Sequence, residues 1–250
     1  MKVARDLLIE IPVLRHTEYI TKARQILRDE IFREIYVVTE KNGLLGYIDA
    51  TDVLRVTETK SNVTVEGYVK EASAVLPDTS LEDVARAVRT MGTDSAPVID
   101  ENGSLLGAIM LSGLFPILIR RQELRGKVLD RMERRVVSCN PGDTINKIYS
   151  LIVESGYCAF PVVRNRALIG MLSRSDILRN GRIRKTLDNA SKVTVESVMT
   201  TPALSISPDD DIEKAAEMLA GYDVSRLPVV ADGMLVGIID RHDVLKALSL

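Results

Sequence analysis

The chain repeats one pattern four times, and this constrains its fold more than any other property. "REIYVVTEKNGLLGYIDATDVL", "DSAPVIDENGSLLGAIMLSGLF", "CAFPVVRNRALIGMLSRSDIL" and "SRLPVVADGMLVGIIDRHDVL" align on Gly46, Gly107, Gly170 and Gly237, at spacings of 61, 63 and 67 residues. Pro97, Pro161 and Pro228 share one place in three copies, and Tyr36 stands there in the first. A fixed period of this length means that one supersecondary unit is reused. A unit of about 60 residues buries little core by itself, so the copies must pack on one another.

A second shared pattern precedes each line. In the third copy it is "VVSCNPGDTINKIYSLIVESG". Val136 to Ser138 suits a strand, Pro141 to Thr144 suits a helix start, and Ile145, Ile148, Leu151 and Ile152 recur at helical spacing. In the fourth copy Ile212, Ala215, Ala216 and Leu219 repeat the stripe, with Gly221 as the stop. "DENG" and "ADGM" are hairpin turns, because Gly, Asn and Asp tolerate positive φ. Each copy therefore reads strand, helix, strand, strand, helix, an α/β unit, over residues 1–58, 64–119, 128–181 and 194–250. Two pairs follow, 1–120 and 121–250. Pro116 is expected to break or kink the helix before the joint, and the charges after it suit an exposed connection.

Composition narrows the function. Hydrophobic residues make up 46%, charged residues 27%, and the net charge is -2, so nothing drives the chain globally towards nucleic acid or an anionic membrane. Trp is absent and aromatics are 4%, which argues against a base-stacking surface. No segment reaches the run of about 18 apolar residues that a membrane span needs. The start lacks a signal-peptide core, and two isolated cysteines, Cys139 and Cys158, fit a reducing compartment; a cytoplasmic protein is expected. No nucleophile–base arrangement, P-loop or dinucleotide fingerprint stands out, so no enzyme is expected and no cofactor or metal site is assigned.

The apolar-Pro-Val-Val strand, the Gly-bearing strand and the Ser/Thr-rich turn ending in Asp resemble the cystathionine beta-synthase (CBS) domain. Four copies are similar to the gamma subunit of AMP-activated protein kinase. The resemblance implies four CBS repeats paired into two Bateman modules that form a disc. It implies AMP, ADP, ATP or S-adenosylmethionine as regulatory ligand, with Mg²⁺ admitted alongside ATP, and a protein partner that reads the bound state. A homodimer is also compatible with it.

The candidate site residues lie three, five and six positions after each glycine. In the third copy these are Ser173, Ser175 and Asp176, with Arg174 between them. An ionised carboxylate only accepts hydrogen bonds and has room for a vicinal diol, while the hydroxyls and the guanidinium donate to phosphate. The resemblance gives these positions the ribose and phosphate. The first copy reads Asp49, Thr51, Asp52 and the fourth Asp240, Arg241, His242, Asp243. Both keep the ribose-type acid but put a carboxylate where phosphate would sit, which is repulsive without a cation. A metal-bridged nucleotide, a nucleoside or a sulfonium suits them better. The second copy, Met110, Ser112, Gly113, lacks the acid and is expected to be silent.

By the same resemblance, Thr200, Thr201, Pro202, Ala203 and Leu204, with Val136 and Val137, line adenine slots, and Arg226 and Arg33 reach phosphate from the partner repeat. Two other readings stay open. The acids are also how helix N-caps look, which would leave the repeats as a dimerisation scaffold. The basic runs Arg120, Arg121, Arg125, Lys127, Arg131, Arg134, Arg135 and Arg179, Arg182, Arg184, Lys185 would serve a nucleic-acid-associated regulator, or a di- or triphosphate tail in the second case. Solvated linker is the favoured account of the first run, where acids are interspersed.

Overall fold

The structure is a computed structural model and describes residues 2–29, 32–56, 61–179 and 193–248. Each reference glycine lies in the second strand of an antiparallel hairpin. The pairs are β2 (Glu34–Val38) with β3 (Leu44–Asp49), β4 (Ser95–Ile99) with β5 (Leu105–Met110), β6 (Ala159–Arg164) with β7 (Ala167–Ser173), and β8 (Arg226–Ala231) with β9 (Met234–Asp240). The glycines sit opposite Val37, Val98, Val162 and Val229, and each register shifts immediately after that valine. Turn residues Asn42, Gly103, Asn165, Arg166, Asp232 and Gly233 all have positive φ, as the turn chemistry requires.

A helix precedes each hairpin: α1 (Ile20–Asp29), α3 (Leu81–Met91), α6 (Ile145–Ser155) and α8 (Ile212–Gly221). Another follows it: α2 (Ala50–Arg55), α4 (Leu111–Arg120), α7 (Arg174–Arg179) and α9 (Arg241–Leu245); a short α5 (Val128–Arg131) joins the halves. Local chemistry sets these ends. The Thr144 hydroxyl accepts from Lys147 N at 3.4 Å to start α6, and Gly156, at φ 73°, closes it in the left-handed conformation. The leading strand is full only in the first repeat, where β1 (Val13–Arg15) runs parallel to β2. Elsewhere it shrinks to single parallel bridges, Val75–Val98, Cys139–Val162 and Ile206–Val229. Val136 to Ser138 is accordingly not a strand, contrary to its apolar pattern.

The segment ahead of each repeat crosses to its neighbour. Ile9 bridges Ala108, Lys70 bridges Tyr47, Glu133 bridges Ile238, and Thr200 bridges Met171. The reference glycines make room for this crossing. A Cβ on Gly46 would lie 2.0 Å from the Lys70 carbonyl oxygen, one on Gly107 2.4 Å from the Ile9 carbonyl oxygen, and one on Gly170 2.9 Å from that of Thr200.

Two apolar cores tie the halves together. One joins helices of repeats 1 and 3, with Ile20, Val53, Ile148 and Ile177 fully or almost fully buried; the other joins repeats 2 and 4 through Leu114, Phe115, Ala215 and Leu219. Hairpin contacts join 1 to 2 (Gly43–Ser104) and 3 to 4 (Ala167–Met234). The four repeats thus close into a ring of contacts. Tyr36 replaces the proline of the other copies for a reason at the 1–2 contact. Its hydroxyl meets Ser95 Oγ at 2.8 Å, and Ser95 Oγ donates to buried Glu34 at 2.5 Å. Burial and the charge of Asp94 push the Glu34 carboxyl up to about 7.

The expected break at Pro116 does not occur. α4 runs through it to Arg120, and Leu118 and Leu124 on either side of the joint are buried. Packing against α8 outweighs the one lost backbone hydrogen bond.

Candidate functional site

A crevice of about 310 Å³ opens between repeats 3 and 4, where the strand ahead of repeat 4 crosses onto β7. Ser173, Arg174, Ser175 and Asp176 line it at the start of α7. Thr200, Pro202, Ala203 and Leu204 line it from the crossing strand, and Arg226 from the far repeat. Repeat 1 contributes Phe32 and Arg33 and repeat 2 contributes Asp94, so all four repeats meet here.

Asp176 is half committed. Its Oδ2 accepts from Ser173 N at 2.7 Å and Ser173 Oγ at 2.6 Å, which closes the turn into α7. Among the described residues its Oδ1 meets only the Thr200 hydroxyl, at 3.4 Å. A carboxylate with this much spare acceptor capacity, beside a second hydroxyl, can take a vicinal diol. The capping role and the binding role therefore coexist in one side chain. Arg226 contacts Cys158 Sγ, its Nη2 lies 4.0 Å from Asp240, and its buried Nε has no hydrogen-bond partner among the described residues. Arg179 also lines the crevice and is exposed.

Arg33 is held in a closed square of charges. It pairs with Asp94 at 3.0 Å and Asp223 at 2.9 Å, and Arg241 pairs with the same two acids at 3.3 and 2.8 Å. This square joins repeats 1, 2 and 4, and three of its members, Arg33, Asp94 and Asp223, form part of the crevice wall.

A second crevice, about 220 Å³, lies on the other side of the 3–4 pair. Asp240 and Asp243 line it from repeat 4, Tyr157 and Ala159 from repeat 3, and Glu133, Arg135, Val136 and Val137 from the segment crossing onto β9. Asp240 caps α9, accepting from His242 N and Asp243 N, both at 2.9 Å. Burial and the neighbouring charge of Asp240 raise the Asp243 carboxyl above the usual range.

Four matches to the CBS domain model cover residues 4–58, 68–119, 126–182 and 195–250. The chain belongs to the CBS-domain family. An uncharacterized protein of Methanocaldococcus jannaschii is 26% identical over 244 residues, 92% of this chain, and the chain spans only 58% of that relative's length. A crystal structure from the same organism, described as a proposed archaeal homologue of g-AMPK, superposes with a TM-score of 0.83 at 20% identity, covering 98% of this chain and 99% of that one. A CBS domain-containing protein of Bacillus subtilis is 34% identical over 117 residues, 46% of this chain and 81% of its own.

The CBS repeats do not all keep open sites. In the first, Lys70 Nζ fills the motif, 3.0 Å from Asp49 and 2.7 Å from Asp52, and Arg174 reaches across from repeat 3 to Thr51 Oγ1 at 2.5 Å and Asp49 at 3.4 Å. Thr51 and Asp52 are buried. Burial works against ionising Asp49, but Arg174 and Lys70 hold its carboxyl below the usual range; burial and Asp49 raise that of Asp52. Asp49, Thr51 and Asp52 are thus an internal ion-pair cluster rather than an open ligand clamp.

Arg241 is a second correction. It is 1% exposed and donates to the Leu219 and Val224 carbonyls besides its two acids, and it lines neither of the two crevices. His242 and Thr201 line neither crevice; the Thr201 hydroxyl donates to Ile169 O at 2.9 Å. Of the basic runs, Arg121 pairs with Glu82 at 2.6 Å and Lys127 with Asp211 at 2.7 Å. Arg182, Arg184 and Lys185 lie outside the described residues. Among the described residues no helix is long and apolar enough to cross a membrane.

The residues that sequence reasoning missed are Lys70, Asp94 and Asp223. Lys70 alone had a signal: it occupies in the first module the crossing place that Thr200 has in the second.

Proposed function

We propose that the chain is a cytoplasmic regulatory sensor of adenosine nucleotides, and that it passes its bound state to a protein partner. CBS-domain proteins are generally regulatory. One observation carries the ligand: Ser173, Asp176, Thr200 and Arg226 converge in a single crevice. In this reading Asp176 takes the ribose hydroxyls, and Ala203 and Leu204 flank the base. Ser173, Ser175 and Arg226 meet the phosphate. Arg174 gives the site a lever, because it lines the crevice while paired with Asp49 of repeat 1. A phosphate that draws Arg174 away from Asp49 favours one arrangement of repeats 1 and 3 over another, by as much as its affinity for the two differs.

Isothermal calorimetry with AMP, ADP, ATP and S-adenosylmethionine tests this. AMP is expected to bind the wild type, and Asp176→Ala to weaken it by about tenfold or more, the worth of a hydrogen bond to a charged group. Unchanged affinity would make Asp176 a cap and nothing else.

A further inference from the structure

Two acids are buried among the described residues, and their surroundings differ. Asp52 has Lys70 at 2.7 Å. Glu34, 7% exposed, has no ion-pair partner among the described residues; its Oε1 accepts from Ser95 Oγ at 2.5 Å and from Asp94 N at 3.1 Å, both neutral donors. The fold does not require an acid at this place. Glu34 stands opposite Asp49 in its hairpin, as Ser95 stands opposite Met110, Ala159 opposite Ser173 and Arg226 opposite Asp240. A serine, an alanine and an arginine fill the same position in the other three repeats.

Charged and titratable groups surround Glu34 on every side. Arg33 and Tyr36 flank it along the chain, β3 brings Tyr47 and Asp49, and the start of β4 brings Asp94 and Ser95. While Asp94 N donates to Glu34, the Asp94 carboxylate holds Arg33 and Arg241, with Asp223 as the fourth member of the square. On the other side, Asp49 and Asp52 hold Lys70 and Arg174, with Arg55 at the surface. Each group sets two acids against two bases, the exposed Arg55 aside. Glu34, next to both, is the charge left over. Arg33, Asp94 and Asp223 line the larger crevice from one group and Arg174 from the other. A proton on Glu34 therefore changes the field at the crevice wall without moving the chain, and burial keeps salt from screening it.

We propose that Glu34 couples proton binding to anion binding in the larger crevice: protonated, it leaves the two flanking clusters balanced and admits a phosphate, and ionised, it opposes one. This rests on the reading of that crevice as a nucleotide site. Glu34 touches no ligand and acts through Asp94 and Arg33, so it is a positioning residue. Burial and the charge of Asp94 set its titration at about 7, so anion affinity is lost as pH rises through that value. By linkage, a bound phosphate draws a proton onto Glu34 as strongly as the proton favours the phosphate. Stability follows the same sign. The folded carboxyl titrates above its ordinary 4.5, so the contribution of Glu34 is complete below about pH 4.5 and is lost as pH rises through about 7.

The test compares the full chain with Glu34→Gln, whose amide oxygen can accept from Asp94 N and Ser95 Oγ without carrying charge. Calorimetry measures AMP binding between about pH 6 and about pH 8.5, on either side of the Glu34 titration, in two buffers of different ionisation enthalpy. The phosphate of AMP itself titrates near about pH 6, equally for both proteins. The two are expected to bind AMP within about twofold of each other at the acid end, and the wild type about threefold to tenfold more weakly at the alkaline end. Near neutral pH the wild type should take up a larger fraction of a proton on binding than the variant. An affinity ratio that stays flat with pH, or equal proton uptake, overturns the proposal. If Glu34→Gln does not fold, Ser95→Ala replaces it. Loss of a hydroxyl that stabilises the ionised carboxylate should move the fall in affinity to higher pH, and an unmoved profile overturns the proposal. Chemical denaturation without ligand is a separate arm: wild-type stability relative to Glu34→Gln should fall as pH rises from about 4.5 to about 7, and a constant difference overturns the proposal. If AMP binds neither protein, the nucleotide reading fails and the coupling with it. If AMP binds both with a flat ratio, the coupling alone fails.

Discussion

Lys70 shows how one side chain decides whether a repeat keeps a site. Its ammonium lies between two carboxylates, one of them almost wholly buried, so it neutralises charge that the surrounding apolar core could not tolerate. Removing it leaves Asp49 and Asp52 close together with, among the described residues, Arg174 and the exposed Arg55 as their remaining cationic partners. Lys70→Met should lower the unfolding free energy by about 1–3 kcal/mol, less than a fully buried pair because the lysine is 38% exposed. Chemical denaturation measures this, and adding Asp52→Asn should recover most of the loss. No loss in the single variant would mean that the cluster is not an ion pair in solution. Arg174 and Arg241 teach the same lesson, since they occupy one position in the repeat and have different fates. Arg174 meets Asp49 and Thr51 across the 3–1 contact, and Arg241 meets Asp94 and Asp223 at the 4–2 contact. Sequence position gave both the same role. The neighbouring repeat's residues made one a crevice residue and the other a structural strut.

At the scale of elements, the hairpin and its glycine were legible because turn chemistry and β-pattern are local. The crossing strands were not, because "EGYVK" and "VMTTP" carry no local sign of which sheet they join. Their partner is chosen by the space above a glycine on the neighbouring repeat. This links packing to the site: Thr200 enters the crevice only because Gly170 lets its backbone approach. A methyl on Gly170 would lie 2.8 Å from Met199 Sδ and 2.9 Å from the Thr200 carbonyl oxygen. Gly170→Ala should therefore cost about 1–3 kcal/mol of stability and weaken AMP binding as well. Gly113→Ala is the control. It lies in α4 with nothing within 4 Å of the new methyl, and should stabilise slightly. Thermal denaturation and calorimetry on both variants check this, and equal AMP affinity in Gly170→Ala would separate the crossing strand from the site. Asp176 and Arg226 were readable for the opposite reason, since each sits at a fixed offset within the repeated hairpin.

For the whole molecule, the repeat count and the α/β units were plain in the sequence, but the way the halves meet was not. The apolar stripes of the four leading helices are alike, so periodicity alone cannot say that repeat 1 shares a core with 3, and 2 with 4. That arrangement makes the chain one cooperative body. Ile148, Ile177, Ala215 and Leu219 are buried in cores to which the other half also contributes. Residues 121–250 alone should self-associate, whereas the full chain should unfold in one transition; a stable monomeric half would contradict the shared cores. Since the larger crevice touches all four repeats, a ligand at a hundred times its dissociation constant should raise the stability of the entire chain by about 2.7 kcal/mol. The most direct measurement of the central claim is a crystal structure of the chain grown with AMP. The account predicts density in the crevice between repeats 3 and 4, with the ribose hydroxyls on Asp176 and the phosphate turned towards Ser173 and Arg226. An empty crevice, or AMP bound with its ribose away from Asp176, would contradict it.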